Sequence, residues 1–125
     1  MINECKQLKE FLKTKCNNVF YMEAPEKALM PYIVYSLPSA YEDDALDIFT
    51  LDVDFWGTKE QLIALEELAS NTKGNGDLEY PTGLNKGLFY NNDVAFTLYA
   101  DTEVRPPDNE PRIRRIKQTY QLRKI

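Results

Sequence analysis

Histidine is absent from the 125 residues. The usual general base at neutral pH is therefore missing, and so is the commonest metal ligand. Only two cysteines occur, Cys5 and Cys16, and no CxxC or Cys/His spacing points to zinc. On one helix they would stand about 16 Å apart, at about 1.5 Å per residue, beyond disulfide reach. Both read as reduced thiols, with a plain apolar role set against a reactive one; only ordinary lysines lie nearby in sequence. No apolar run approaches the roughly 18 residues of a membrane span. The opening MINECKQLKEFLK has no signal-peptide h-region, so the expectation is a protein made and folded in the cytoplasm. A net charge of −5 argues against a general nucleic-acid binder.

What is present is enough for one α+β domain over residues 1–125: 43% hydrophobic residues, with eight tyrosines and six phenylalanines. The organising stretch is DIFTLDVDFWG followed by TKEQLIALEELAS, residues 47–70. In it Phe49, Leu51, Val53 and Phe55 alternate with Ile48, Thr50, Asp52, Asp54 and Trp56, the period of a strand with one apolar face. Gly57 is expected to break the strand. Thr58 and Gln61 have the spacing of a capping box, and Leu62, Leu65, Leu68 and Ala69 the spacing of a buried helical stripe, with Glu60, Glu66 and Glu67 at its sides.

Before this stretch, residues 2–15 read as an amphipathic helix with a stripe of Ile2, Cys5, Leu8 and Leu12. Strands are expected at 19–23 and 31–37, and a polar loop or hairpin tip at 38–46. After it, residues 70–92 are irregular, hold four of the five glycines and carry two marginal strand patches, 78–80 and 87–90. So long a weakly structured stretch is often functional. A strand follows at 93–101, then the proline-rich loop TEVRPPDNEP at 102–111, then a final strand at 113–124 with Ile116, Tyr120 and Leu122 facing the core. The predicted order is α-β-β-β-α-β-β: a mostly antiparallel sheet of four to five strands with two helices packed on one face.

Charge is segregated. Residues 28–58 contain six acids (Glu42, Asp43, Asp44, Asp47, Asp52, Asp54) and no base. Residues 112–125 contain six bases (Arg112, Arg114, Arg115, Lys117, Arg123, Lys124) and no acid. Two adjacent strands with salt-bridged outer faces would account for this. So would a head-to-tail contact between copies, acidic surface to basic strand. Direct nucleic-acid binding by the basic strand is a third reading, opposed by the net charge.

Chemistry is sparse. Gly74-Asn75-Gly76 follows a helix and lacks Gly-Lys-Ser/Thr, so it is not a phosphate loop. Asp52 and Asp54 share a strand face and could act as an acid/base pair or hold a cation; such a pair is more often a solvated sheet face. Trp56 reads as an interface anchor or as a lid on the helix junction. No catalytic set, metal site or cofactor is expected.

The succession PYIVYSL, an acidic loop, LDVDFWGTKEQLIALEELA and a closing basic strand RRIKQTYQLRKI resembles the tail-terminator and head–tail-joining proteins of long-tailed bacteriophages and prophages. The resemblance implies a non-enzymatic virion protein that forms a ring, usually a hexamer. Such a ring caps the head-proximal end of the tail tube and joins it to the head connector. It implies partners in copies of itself, the tube protein and a connector or neck protein. DNA at most passes through, no membrane is involved, and assembly occurs in the host cytoplasm. It implies subunit contacts through Glu42, Asp43, Asp44, Asp47, Asp52, Asp54, Trp56, Arg112, Arg114, Arg115, Lys117 and Arg123. It implies contacts to the tube or connector through the loop bearing Arg105, Pro106, Pro107 and Asp108. The rival readings are another neck or minor tail component, and a small binding or regulatory domain using the face around Asp52, Asp54 and Trp56. An enzyme using the two carboxylates comes after these.

Overall fold

The computed structural model describes residues 2–43, 46–77 and 82–125, with the side chains of 39–43 and 46–47 outside that description. In chain order the elements are α1 (Ile2–Lys13), β1 (Val19–Tyr21), β2 (Tyr32–Asp43) and β3 (Leu46–Thr58). A 3-10 turn (Lys59–Gln61) then leads into α2 (Leu62–Lys73), followed by β4 (Leu88–Tyr90), β5 (Ala95–Val104) and β6 (Ile113–Lys124). The class is α+β, as expected, but the sheet has six strands among the described residues, in the order β1-β2-β3-β6-β5-β4. The last strand inserts between β3 and β5, and every pairing but one is antiparallel. The exception is β1, which runs parallel to β2. Residues 22–31 carry the chain back to start β2 beside it, a return that a tight hairpin would not make.

Alternation built the centre as read. Leu51, Val53 and Phe55 of β3 are fully buried, beside Ile116, Tyr120 and Leu122 of β6. Leu8 and Leu12 of α1 and Leu65 and Ala69 of α2 close over the same core, so both helices cover one face. Burying each such leucine or phenylalanine is worth about 1.5–3 kcal/mol.

Several local expectations are corrected. Gly57 does not end β3; it pairs with Arg114, and the strand runs on through Thr58. Its lack of a side chain serves packing instead, since a Cβ there would lie 3.3 Å from both Leu65 methyls. Of the expected loop or hairpin tip at 38–46, residues 38–43 are strand: β2 continues to Asp43 and pairs with β3 in a hairpin, across a register shift between Ser36 and Ser39, and 44–45 lie outside the described residues. Pro38 falls in that shift, where it has no partner in the ladder, a place that tolerates its missing N–H. β5 extends to Val104, which shortens the proline-rich loop. Helix α1 ends at Lys13; Ile2 is exposed and Glu4 is buried instead, 3.7 Å from Lys124.

The irregular stretch is partly core. Leu84 is fully buried, and its amide and that of Asn85 donate to the Thr72 and Lys73 carbonyls at the end of α2. The chain passes so close there that a Cβ on Gly83 would meet the Thr72 carbonyl oxygen at 2.5 Å. The patch at 87–90 does form a strand, β4. The patch at 78–80 lies outside the described residues.

Candidate assembly interface

At the end of β3 the chain turns into α2. The Thr58 amide donates to Gln61 Oε1 (3.0 Å), and Gln61 Nε2 donates to the Met30 carbonyl (3.0 Å). This anchored start leaves Leu62 at the surface, 41% exposed, rather than in the buried stripe expected of it; Leu65, Ala69 and Thr72 are the buried positions. One turn on, Glu66 faces the loop after β5. Arg105 grips it with two parallel bonds, Nε to Oε1 and Nη2 to Oε2, both 2.6 Å. That fork pulls the Glu66 carboxyl below its ordinary range and holds the Arg105 guanidinium more firmly protonated.

Between the loop, α2 and the start of β6 lies a cleft of 410 Å³. Leu62, Pro106, Pro107 and Ile113 give it an apolar floor, and the Arg105–Glu66 pair forms a wall. Arg114 lines it as well. Its Nη1 donates to the carbonyls of Pro111 (2.7 Å) and Ile113 (3.1 Å), and no carboxylate among the described residues pairs with it. The loop residues Arg105, Pro106, Pro107 and Asp108 and the basic residues Arg114 and Arg115, two separate groups in sequence, thus meet in one place. Sequence reasoning missed Leu62, assigned to the core, and Glu66, placed only at the side of the helical stripe. Nothing in a helical period announces a partner 39 positions away.

The other candidates are arranged differently. On the open face, Asp54 bonds Arg115 (2.9 Å) and Asp52 lies 3.5 Å from Lys117, because β3 and β6 are neighbours. Trp56 is half-buried, stacked on Tyr32 with centroids 6.3 Å apart, and carries the Arg115 guanidinium 4.8 Å from its ring centre. Burial pushes the Asp54 carboxyl up, more than Arg115 pulls it down. Arg123 lies over Tyr99 at 5.3 Å, and Arg112 touches Glu110 at 3.4 Å while 82% exposed. Glu42 pairs in register with Asp47, and Asp43 with Leu46, at the end of the β2–β3 hairpin. Asp44 lies outside the described residues. No group of three or more metal-ligating side chains occurs among the described residues. None of their helices is long and apolar enough to cross a membrane.

No family model matches the chain, and no curated protein does. A solved virion contains a chain of the same fold. The structure is titled as the virion of a native gene transfer agent particle. The match has a TM-score of 0.64 at 12% sequence identity and covers 96% of this chain and 90% of that one. At that identity the likeness is one of fold.

Proposed function

We propose that the chain is a non-enzymatic structural component of a phage-like virion, of the tail-terminator kind. Copies would form a ring, a hexamer by the resemblance, that caps the head-proximal end of the tail tube and meets the head connector. DNA would pass through the lumen without specific recognition, and assembly would take place in the host bacterial cytoplasm. The observation that carries this reading is the end-to-end fold match to a chain of a gene transfer agent virion. The sequence resemblance supports it independently. So does the division of charge along the chain, six acids and no base in residues 28–58 against six bases and no acid in residues 112–125.

A cap stops a tube from growing, so its loss should release length control. Deleting the coding sequence from the particle that carries it, and measuring tails by electron microscopy, tests this. Tubes of uncontrolled length that fail to join heads are the expected outcome. Tails of normal length that fail to join heads would assign the chain to another neck component. Normal, infectious particles would sink the virion reading altogether. The open face around Asp52, Asp54 and Trp56 is a weaker candidate for a binding surface, because its charges are already matched within the chain.

A further inference from the structure

We propose that the chain forms a two-fold dimer through the outer edge of β4, which pairs antiparallel with β4 of a second copy. β4 is an outermost strand of the sheet, and its hydrogen bonds show which backbone groups are unspent. The Asn91 amide donates to the Val94 carbonyl (2.9 Å), and the Gly87 carbonyl accepts from the Leu98 amide (3.2 Å). Phe89 lies in register with Phe96 between them. Positions 87, 89 and 91 therefore face β5, and the amides and carbonyls of Leu88 and Tyr90 point off the sheet. None of the loop, turn or side-chain hydrogen bonds of the described residues reaches them. The edge is also unguarded. Residues 87–91 hold no charge and no proline, the usual devices against edge pairing. Leu88 and Tyr90 are 52% and 70% exposed on one face, and Phe89, packed on Phe11 and Phe96, is half-buried on the other.

This edge is complementary to itself. With the two-fold axis at Phe89, Leu88 of each copy falls opposite Tyr90 of the other, and each such pair exchanges amide–carbonyl bonds in both directions. Leucine then meets tyrosine twice on the open face. On the helix side Phe89 meets its own counterpart, which extends the cluster of Phe11, Phe89 and Phe96 across the axis. The opposite edge of the sheet is a poorer mate. In β1 the Asn18 carbonyl and the Met22 amide bond β2, which leaves Val19 and Tyr21 facing outward. There the Glu23 amide already occupies the Tyr21 carbonyl (2.9 Å), and Met22, at φ 69°, turns the chain away. An isologous contact closes at two copies and does not propagate, so the dimer is distinct from a ring contact and does not rest on the tail-terminator reading.

Light scattering on the full-length protein, from micromolar to millimolar, tests the dimer. The unaltered chain should pass from monomer to dimer mass and stop there. Leu88→Lys with Tyr90→Lys sets like charges opposite each other in both cross-strand pairs, and so does Leu88→Glu with Tyr90→Glu. Each double variant should weaken dimerisation about tenfold or more, and an equimolar mixture of the two should regain it, because every lysine then meets a glutamate. Both positions are exposed, so the core is untouched. Leu88→Pro removes an amide that β5 does not use and should abolish pairing as well. A chain monomeric at every concentration, double variants that dimerise like the unaltered chain, or a mixture that regains nothing would each overturn the proposal. Masses that climb past the dimer, with no rescue in the mixture, would overturn it in favour of β4 pairing with β1.

Discussion

The two faces of the central strand pair are made by alternate residues of the same two strands, yet they are built on different physics. On the covered face, Leu51, Val53, Phe55, Ile116, Tyr120 and Leu122 are closed off by both helices. One polar group enters there, Gln118, and it is fully engaged. Its amide donates to the Ala69 carbonyl and to Glu103 Oε1, both 2.9 Å, and the Tyr120 hydroxyl donates to its oxygen. On the open face, Asp52, Asp54, Trp56, Arg115 and Lys117 are half-buried and satisfy one another across the β3–β6 seam. Stability belongs to the first face. The second keeps a wide sheet surface polar while leaving little unmatched charge on it, which is why the candidate interface sits at the end of the sheet and not on its face.

The sharpest test of this contrast is Phe55→Ala, which opens a cavity in the covered face and should cost about 3–5 kcal/mol in urea unfolding. A loss below 1 kcal/mol would mean that the helices do not close over this face. Next is Gln118→Leu, similar in volume but without the amide. It strands the Tyr120 hydroxyl and the Ala69 carbonyl and should cost about 1–3 kcal/mol. The smallest effect belongs to the open face. Asp54→Asn should leave stability at neutral pH within about 0.5 kcal/mol, because the half-buried pair gains little. The sign of its pH dependence follows from the upward shift of Asp54. A carboxyl whose folded-state pKa is raised contributes stability that is complete below the unfolded value and lost as pH rises through the folded one. The unaltered chain should therefore gain on Asp54→Asn as pH is lowered toward 4. A gain in the opposite direction would mean that Arg115 outweighs burial.

Legibility tracked the range of the interaction. The alternation of residues 47–56 fixed which side chains of β3 enter the core, because period two is local. Leu8, Leu12, Leu65 and Ala69 were legible for the same reason at helical period. Gln118 stood in the core register between Ile116 and Tyr120 and could have been found by strict alternation; its polarity hid it. The extension of β2 and β3 beyond Pro38 was not legible, since acidic and proline-bearing residues are poor strand formers in isolation. Here each arm is held by the other.

The order of neighbours in the sheet decided the rest. The sequence by itself determined two helices, the long amphipathic strands and an acid–base division between the middle and the end of the chain. Whether those charges meet within one copy or between copies depended on β6 inserting beside β3. That is a pairing of segments some 60 residues apart, chosen by burial of both apolar faces under the same helices. Only that insertion absorbs Asp52 and Asp54 into the fold, leaves Arg114 bonded to carbonyls with no carboxylate partner among the described residues, and brings Leu62, Glu66 and the proline loop together as a cleft.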